Sequence, residues 1–116
     1  MVITISIALK KGGSGKTTTA VNLAAHLARL QKRTLVIDVD SQCNVSTACG
    51  IQPISAPDYD NPVELPLSLM DVLKNKNLPV ENAIITTDFG FDILPSRGDL
   101  SQAELGMNFS HIYILK

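Results

Sequence analysis

Apolar residues in this chain cluster in short runs separated by polar, glycine- or proline-rich stretches. The first run, Val2 to Leu9, predicts a buried β-strand. After a glycine-rich break, Ala20, Val21, Ala24, Leu27 and Ala28 recur at helical spacing, with Leu23 and Leu30 widening the face. Asn22, His26 and Arg29 share the opposite side, which predicts a helix with one buried and one solvated face. Lys32 to Ile37 reads as a second strand, ending in Asp38-Val39-Asp40. From Pro53 to Pro66 the pattern breaks into a proline-rich loop. Ser68 to Lys74 reads as a short capped helix, and Phe91 to Ser96 as a third strand of parallel type. Val80 to Ile85 is compatible with either a helical turn or a strand, and Ser101 to Glu104 carries a capping box ahead of Leu105.

The break between first strand and first helix carries the chemistry. Lys10-Lys11-Gly12-Gly13-Ser14-Gly15-Lys16-Thr17-Thr18-Thr19 has the strand, glycine-rich turn, Gly-Lys-Thr and helix layout of a phosphate-binding loop. Glycines let successive backbone N–H groups converge on one anion, and the helix start adds unpaired donors and a positive dipole end. Lys16 supplies a mobile charge for the β- and γ-phosphates, and the Thr17 hydroxyl is placed to ligate Mg²⁺.

The general motif wants glycine where this chain has Lys10. What stands instead, K-G-G-x-G-K-T with Lys11 at its front, resembles the ParA/MinD family of deviant Walker A partition and positioning ATPases. Asp38, Asp40, Gln42 and Asn44 match that family's D-x-D-P-Q-G-N motif, and later D-V-L, I-L-P-S and D-L-x-x-A-E segments recur in order, so the likeness runs from position 2 to about 107. It implies an α/β fold of the P-loop NTPase type, a parallel sheet with flanking helices, formed by residues 1–116 as a single nucleotide-binding domain. It implies ATP and Mg²⁺ as cofactors, with nucleotide contacts from Lys11, Gly12, Gly13, Ser14, Gly15, Lys16, Thr17 and Thr18. Thr17 and Asp38 would serve the metal, Asp38 from its second shell. Lys11, Lys16 and Asp40 would be catalytic, Asp40 by orienting the attacking water and Lys11 by reaching into a partner's site.

Three departures bear on local geometry. Ser41 replaces the family's proline, Cys43 its glycine, and Gln31 the glycine that follows the first helix. A non-glycine residue in a left-handed cap costs about 1 kcal/mol. The family module is more than twice as long and continues into a D-x-P-P strand that should lie between the first two strands. No counterpart precedes Lys116, which leads to the expectation of an amino-terminal portion whose turnover alone is slow or absent. Ile112 to Leu115 could supply a substitute strand or continue the helix from Ser101.

Composition narrows the partners. The 116 residues are 45% hydrophobic and 4% aromatic with no tryptophan, which suits a core of Val, Ile, Leu and Ala. A net charge of −1 offers no basic face for DNA, so DNA binding is expected only with the family's later segments supplied. Cys43 and Cys49 lack metal-ligand spacing and read as reduced thiols in a loop facing nucleotide, and no apolar run reaches membrane-spanning length, so a cytoplasmic protein without membrane contact is expected. The resemblance implies an ATP-dependent homodimer, or pairing with a full-length relative, acting with a ParB-like adaptor to segregate DNA or position protein cargo. A non-hydrolysing nucleotide-binding regulator and an inactive fragment remain the alternatives.

Overall fold

A computed structural model describes residues 1–8, 15–55, 58–60, 65–100 and, for the backbone, 111–115. Lys11 to Ser14 and the capping box at Ser101 lie outside the described residues. The strands are β1 (Thr4–Ala8), β2 (Leu35–Asp38), β3 (Ile85–Thr86), β4 (Asp92–Leu94) and β5 (His111–Leu115). The helices are α1 (Lys16–Arg29), α2 (Asn44–Ala48) and α3 (Leu69–Lys74). The ambiguous segment resolves into both its readings, a 3₁₀ turn over Val80–Ala83 followed by β3.

The five strands form one sheet in the order β1-β5-β2-β4-β3. β2 and β4 are parallel, as the α/β reading expects. β5 lies between β1 and β2 and is antiparallel to both, so β1 and β2 run in the same direction. Of the two readings of residues 112–115, the strand is realised. The sheet is therefore mixed, and β5 takes up the hydrogen-bonding groups that β1 and β2 would otherwise leave unpaired between them.

β1 is not the buried strand its apolar run predicts. Among the described residues only β5 pairs with it, and Val2 is 70% exposed. The sheet separates two cores. Ile5, Ile7 and Val36 meet Ala20 and Ala24 of α1 and Val45 and Cys49 of α2 on one face. Leu35, Ile37 and Leu94 meet Leu69 and Met70 of α3 on the other. Ala20 and Ala24 are wholly buried while Asn22, His26 and Arg29 are exposed, the division their spacing predicts. Small alanines let the helix lie close to the sheet, which fixes the height of the α1 start above it.

α3 begins with a capping box. The Met70 amide donates to Ser68 Oγ at 3.2 Å, and the Ser68 amide donates to Asp71 Oδ2 at 2.8 Å. Among the described residues no helix is long and apolar enough to cross a membrane.

Candidate functional site

Ile7 near the end of β1 and Asp38 at the end of β2 both stand opposite Ile112 of β5. The register brings the carboxyl ends of two parallel strands level, and the open crevice at such ends is where α/β sheets hold ligands. The glycine-rich loop leaves β1 just after Ala8, at the same end as Asp38.

Gly15 caps α1 with φ 83° and ψ 16°, the left-handed region, and its carbonyl accepts from the Thr19 amide at 2.9 Å. A Cβ built there would meet nothing within 4 Å, so the backbone angle and not crowding calls for glycine. Lys16 and Thr17 open the helix half-buried, and Thr18 is exposed with its carbonyl accepting from Asn22 Nδ2 at 2.8 Å. No acidic side chain stands in the first turn of α1, where one would offset the positive end of the helix.

The turn after β2 is built by its own aspartates. The Asp40 amide donates to Asp38 Oδ1 at 3.0 Å, and the Gln42 amide donates to Asp40 Oδ1 at 3.0 Å. These are two successive Asx turns, a geometry short acidic side chains favour. The chain then turns through Cys43 at φ 56°, in the left-handed region, and enters α2. That is the position where the resemblance places glycine.

Asp38 is wholly buried. Burial pushes its pKa up from 3.8 to about 7, the charge of Asp40 adds to the rise, and the Asp40 and Val45 amides oppose it. Its Oδ2 has no hydrogen-bond partner among the described residues, nor do the hydroxyls of Ser46 and Ser96. This open Asp38 oxygen and the Thr17 hydroxyl stand at the same end of the sheet, and oxygen groups are what a hard divalent cation takes. Asp40 is half-buried, with one carboxylate oxygen engaged by Gln42.

Two features add to the sequence reading. Cys43 and Cys49 are both buried, at the two ends of α2, and burial raises both thiol pKa values, with the charge of Asp38 adding to each rise, which makes them poor nucleophiles. The second is Arg97, which sequence reasoning passed over. It is 5% exposed, and its guanidinium holds Asp99 through Nε and Nη2 at 2.8 and 3.1 Å and Asp71 through Nη1 at 3.0 Å. The Arg-x-Asp spacing beside an acidic cap on α3 was the available signal.

A family profile described as an AAA domain matches residues 2–113. The chromosome partitioning protein ParA of Caulobacter vibrioides is 39% identical over 115 residues, which is 97% of this chain and 39% of ParA. Cobyrinic acid a,c-diamide synthase from Mycobacterium smegmatis, solved with bound ADP and magnesium, superposes with a TM-score of 0.70 at 32% identity, over 88% of this chain and 38% of the synthase. A plasmid partition protein from Borrelia burgdorferi superposes with a TM-score of 0.60 at 28% identity, over 83% of this chain and 40% of that protein. The chain thus spans about two fifths of the length of the curated relatives it matches. With the match running from the first strand to the last, the chain belongs to the AAA-domain family that includes the ParA and Soj partitioning proteins.

Proposed function

We propose that this chain binds Mg-ATP at the carboxyl ends of β1 and β2, as the nucleotide-binding part of a ParA-type partition ATPase. The observation that carries the reading is the shared rung of Ile7 and Asp38, which sets the start of the phosphate loop level with a buried carboxylate whose Oδ2 is open. The loop amides from Gly12 to Lys16 and the Lys16 ammonium hold the phosphates, Thr17 ligates the cation, and Asp38 supports it from behind. Bound Mg²⁺ would neutralise charge on the phosphates. Asp40 orients the attacking water, and Lys11 serves the site of a second copy, so that nucleotide drives dimerisation. The dimer, or a pair with a full-length relative, acts on DNA or protein cargo through a ParB-like adaptor.

The likeness to a synthase bound to ADP supports nucleotide binding without singling out partition chemistry. Lys11 favours the partition reading, because the resemblance that gives this lysine a role in a partner's site is to the partition ATPases. Mg-ATP at 100 times its dissociation constant should stabilise the chain by about 2.7 kcal/mol. Lys16→Ala should remove that shift, and Lys11→Ala should keep it while weakening dimerisation with a non-hydrolysable analogue. No thermal shift with saturating Mg-ATP in the folded chain would overturn the reading.

A further inference from the structure

We infer that Cys43 is a positioning residue for Asp40, its buried thiol fastening the aspartate turn to the segment that continues β4. The role of Asp40 in orienting water is the one proposed above, and the assignment rests on it. Residue 43 holds φ 56° and ψ 32°, a left-handed backbone that penalises any residue with a Cβ. The partition family has glycine here, which carries no such penalty. What the cysteine adds is its side chain, and the residue is 3% exposed.

The backbone contacts of Cys43 would survive glycine. Its amide donates to Asp40 O at 3.0 Å, and its carbonyl accepts from the Thr47 amide at 3.2 Å and the Thr47 hydroxyl at 3.3 Å, which starts α2. The thiol contacts would not survive. Cys43 Sγ donates to Ser41 O at 3.5 Å across the turn. The Ser96 hydroxyl stands beside the same thiol and partly counters the rise that burial and the charge of Asp38 impose on its pKa. Ser96 is wholly buried two residues beyond β4, in a segment bonded on both sides. There the Leu69 amide donates to Pro95 O at 2.8 Å, and the Gly98 amide donates to Ile54 O at 3.2 Å. The thiol thus links the turn to a firmly held stretch of chain. A thiol suits this place, because it packs like a small hydrophobe and still donates weakly. Asp40 needs the hold more than Asp38 does. Asp38 belongs to β2 and pairs with β5, whereas Asp40 lies beyond the strand, in the turn that the Gln42 and Cys43 amides close on it.

Amide exchange without nucleotide reads the turn directly, because the Gln42 and Cys43 amides both end on Asp40. Cys43→Ala keeps the Cβ and the backbone penalty and loses only the sulfur. Protection at Gln42 and at position 43 should fall about tenfold, with the α1 and β2 amides unchanged. In Cys43→Gly it should fall at least as far, despite the relieved backbone. Cys43→Ser keeps a donor and should recover most of the protection. Urea unfolding checks that each variant folds. The Mg-ATP thermal shift should match the parent's in all three, since the phosphate loop is untouched. A parent without any shift would overturn the nucleotide reading, whereas exchange alone decides the hold on the turn. Unchanged protection in Cys43→Ala, or raised protection in Cys43→Gly, overturns the inference, as does a Cys43→Ser chain no better protected than Cys43→Ala.

Discussion

Asp38 and Ile7 share one rung of the sheet, each opposite Ile112, although 31 positions separate them in the chain. β1 and β2 do not pair with each other, so β5, with α1 packed across both strands, sets the distance between the loop that follows β1 and the aspartates that follow β2. The geometry of the proposed site therefore depends on five residues far from its motifs.

A proline at Tyr113 tests that dependence. Tyr113 stands between Ser6 and Ile37, with ladder partners on both sides. Proline removes the N–H and is not tolerated in a central strand; a cost of about 3 kcal/mol is the order for an interior proline. Tyr113→Pro should lower the urea midpoint and shrink the Mg-ATP thermal shift, even though every motif residue is intact. An unchanged midpoint would mean that β5 does not bridge β1 and β2.

Stability of the nucleotide-free chain should fall as pH rises, because of Asp38. Its pKa is about 7 when folded and near 3.8 when unfolded. Between those values the folded chain holds a proton that the unfolded chain releases, so the contribution is full below pH 3.8 and is lost as pH rises to about 7. At 1.36 kcal/mol per pKa unit, about 3 kcal/mol should disappear between pH 5 and pH 8. Asp38→Asn cannot ionise and should flatten that part of the profile, measured by urea unfolding at each pH. Parent and variant profiles of the same slope would show that Asp38 does not titrate there.

Local pattern made much of this architecture legible. The α1 stripe, the Ser68 cap and the strands around Val36 and Ile93 follow from spacing and capping chemistry confined to a few residues. The glycine-rich loop and the paired aspartates were legible as motifs, and the register of β1 and β2 puts their two strand ends level. β5 was open to two readings because its partners lie about 75 and 105 positions away, and such pairing is decided by tertiary contact and not by propensity. Arg97 was silent for a related reason. Arginine is rarely buried, and only the fold brings Asp71 to it across 26 positions.

Two helix ends of the same design give an internal comparison. After α1, the Gln31 amide donates to Ala28 O at 2.9 Å and the Lys32 amide to Leu27 O at 3.0 Å. After α2, the Gly50 amide donates to Thr47 O at 3.1 Å and the Ile51 amide to Ser46 O at 2.9 Å. Both are Schellman ends, with φ 59° at Gln31 and φ 71° at Gly50. Gln31→Gly should stabilise the chain by up to about 1 kcal/mol, and Gly50→Ala should cost about as much. Since a Cβ at Gly50 meets nothing within 4 Å, its loss would report backbone strain and not a clash. Urea midpoints that move the same way for both substitutions would contradict this account.

The Arg97 cluster should be the most sensitive point outside the nucleotide site. Its guanidinium reaches Asp71 on α3 and Asp99 beyond β4, and Lys74 Nζ adds a contact to Asp99 Oδ2 at 3.5 Å. Arg97 and Asp99 are both nearly buried, so removing the cation strands carboxylates in the interior. Arg97→Met keeps an unbranched stem of similar reach and should still cost about 3–5 kcal/mol near neutral pH. Arg97→Lys should recover part of that, because one ammonium cannot hold Nε and Nη contacts to two carboxylates at once. The loss carries a pH signature. Hydrogen bonding to Arg97 holds the Asp99 pKa below its ordinary value, so the stability it adds is present above the unfolded pKa near 3.8 and is lost as pH falls through the lower folded value. The gap between parent and Arg97→Met should therefore be widest near neutral pH and narrow below about pH 4. Urea unfolding at neutral pH and at the acid limit separates this from a packing loss, which would leave the gap constant.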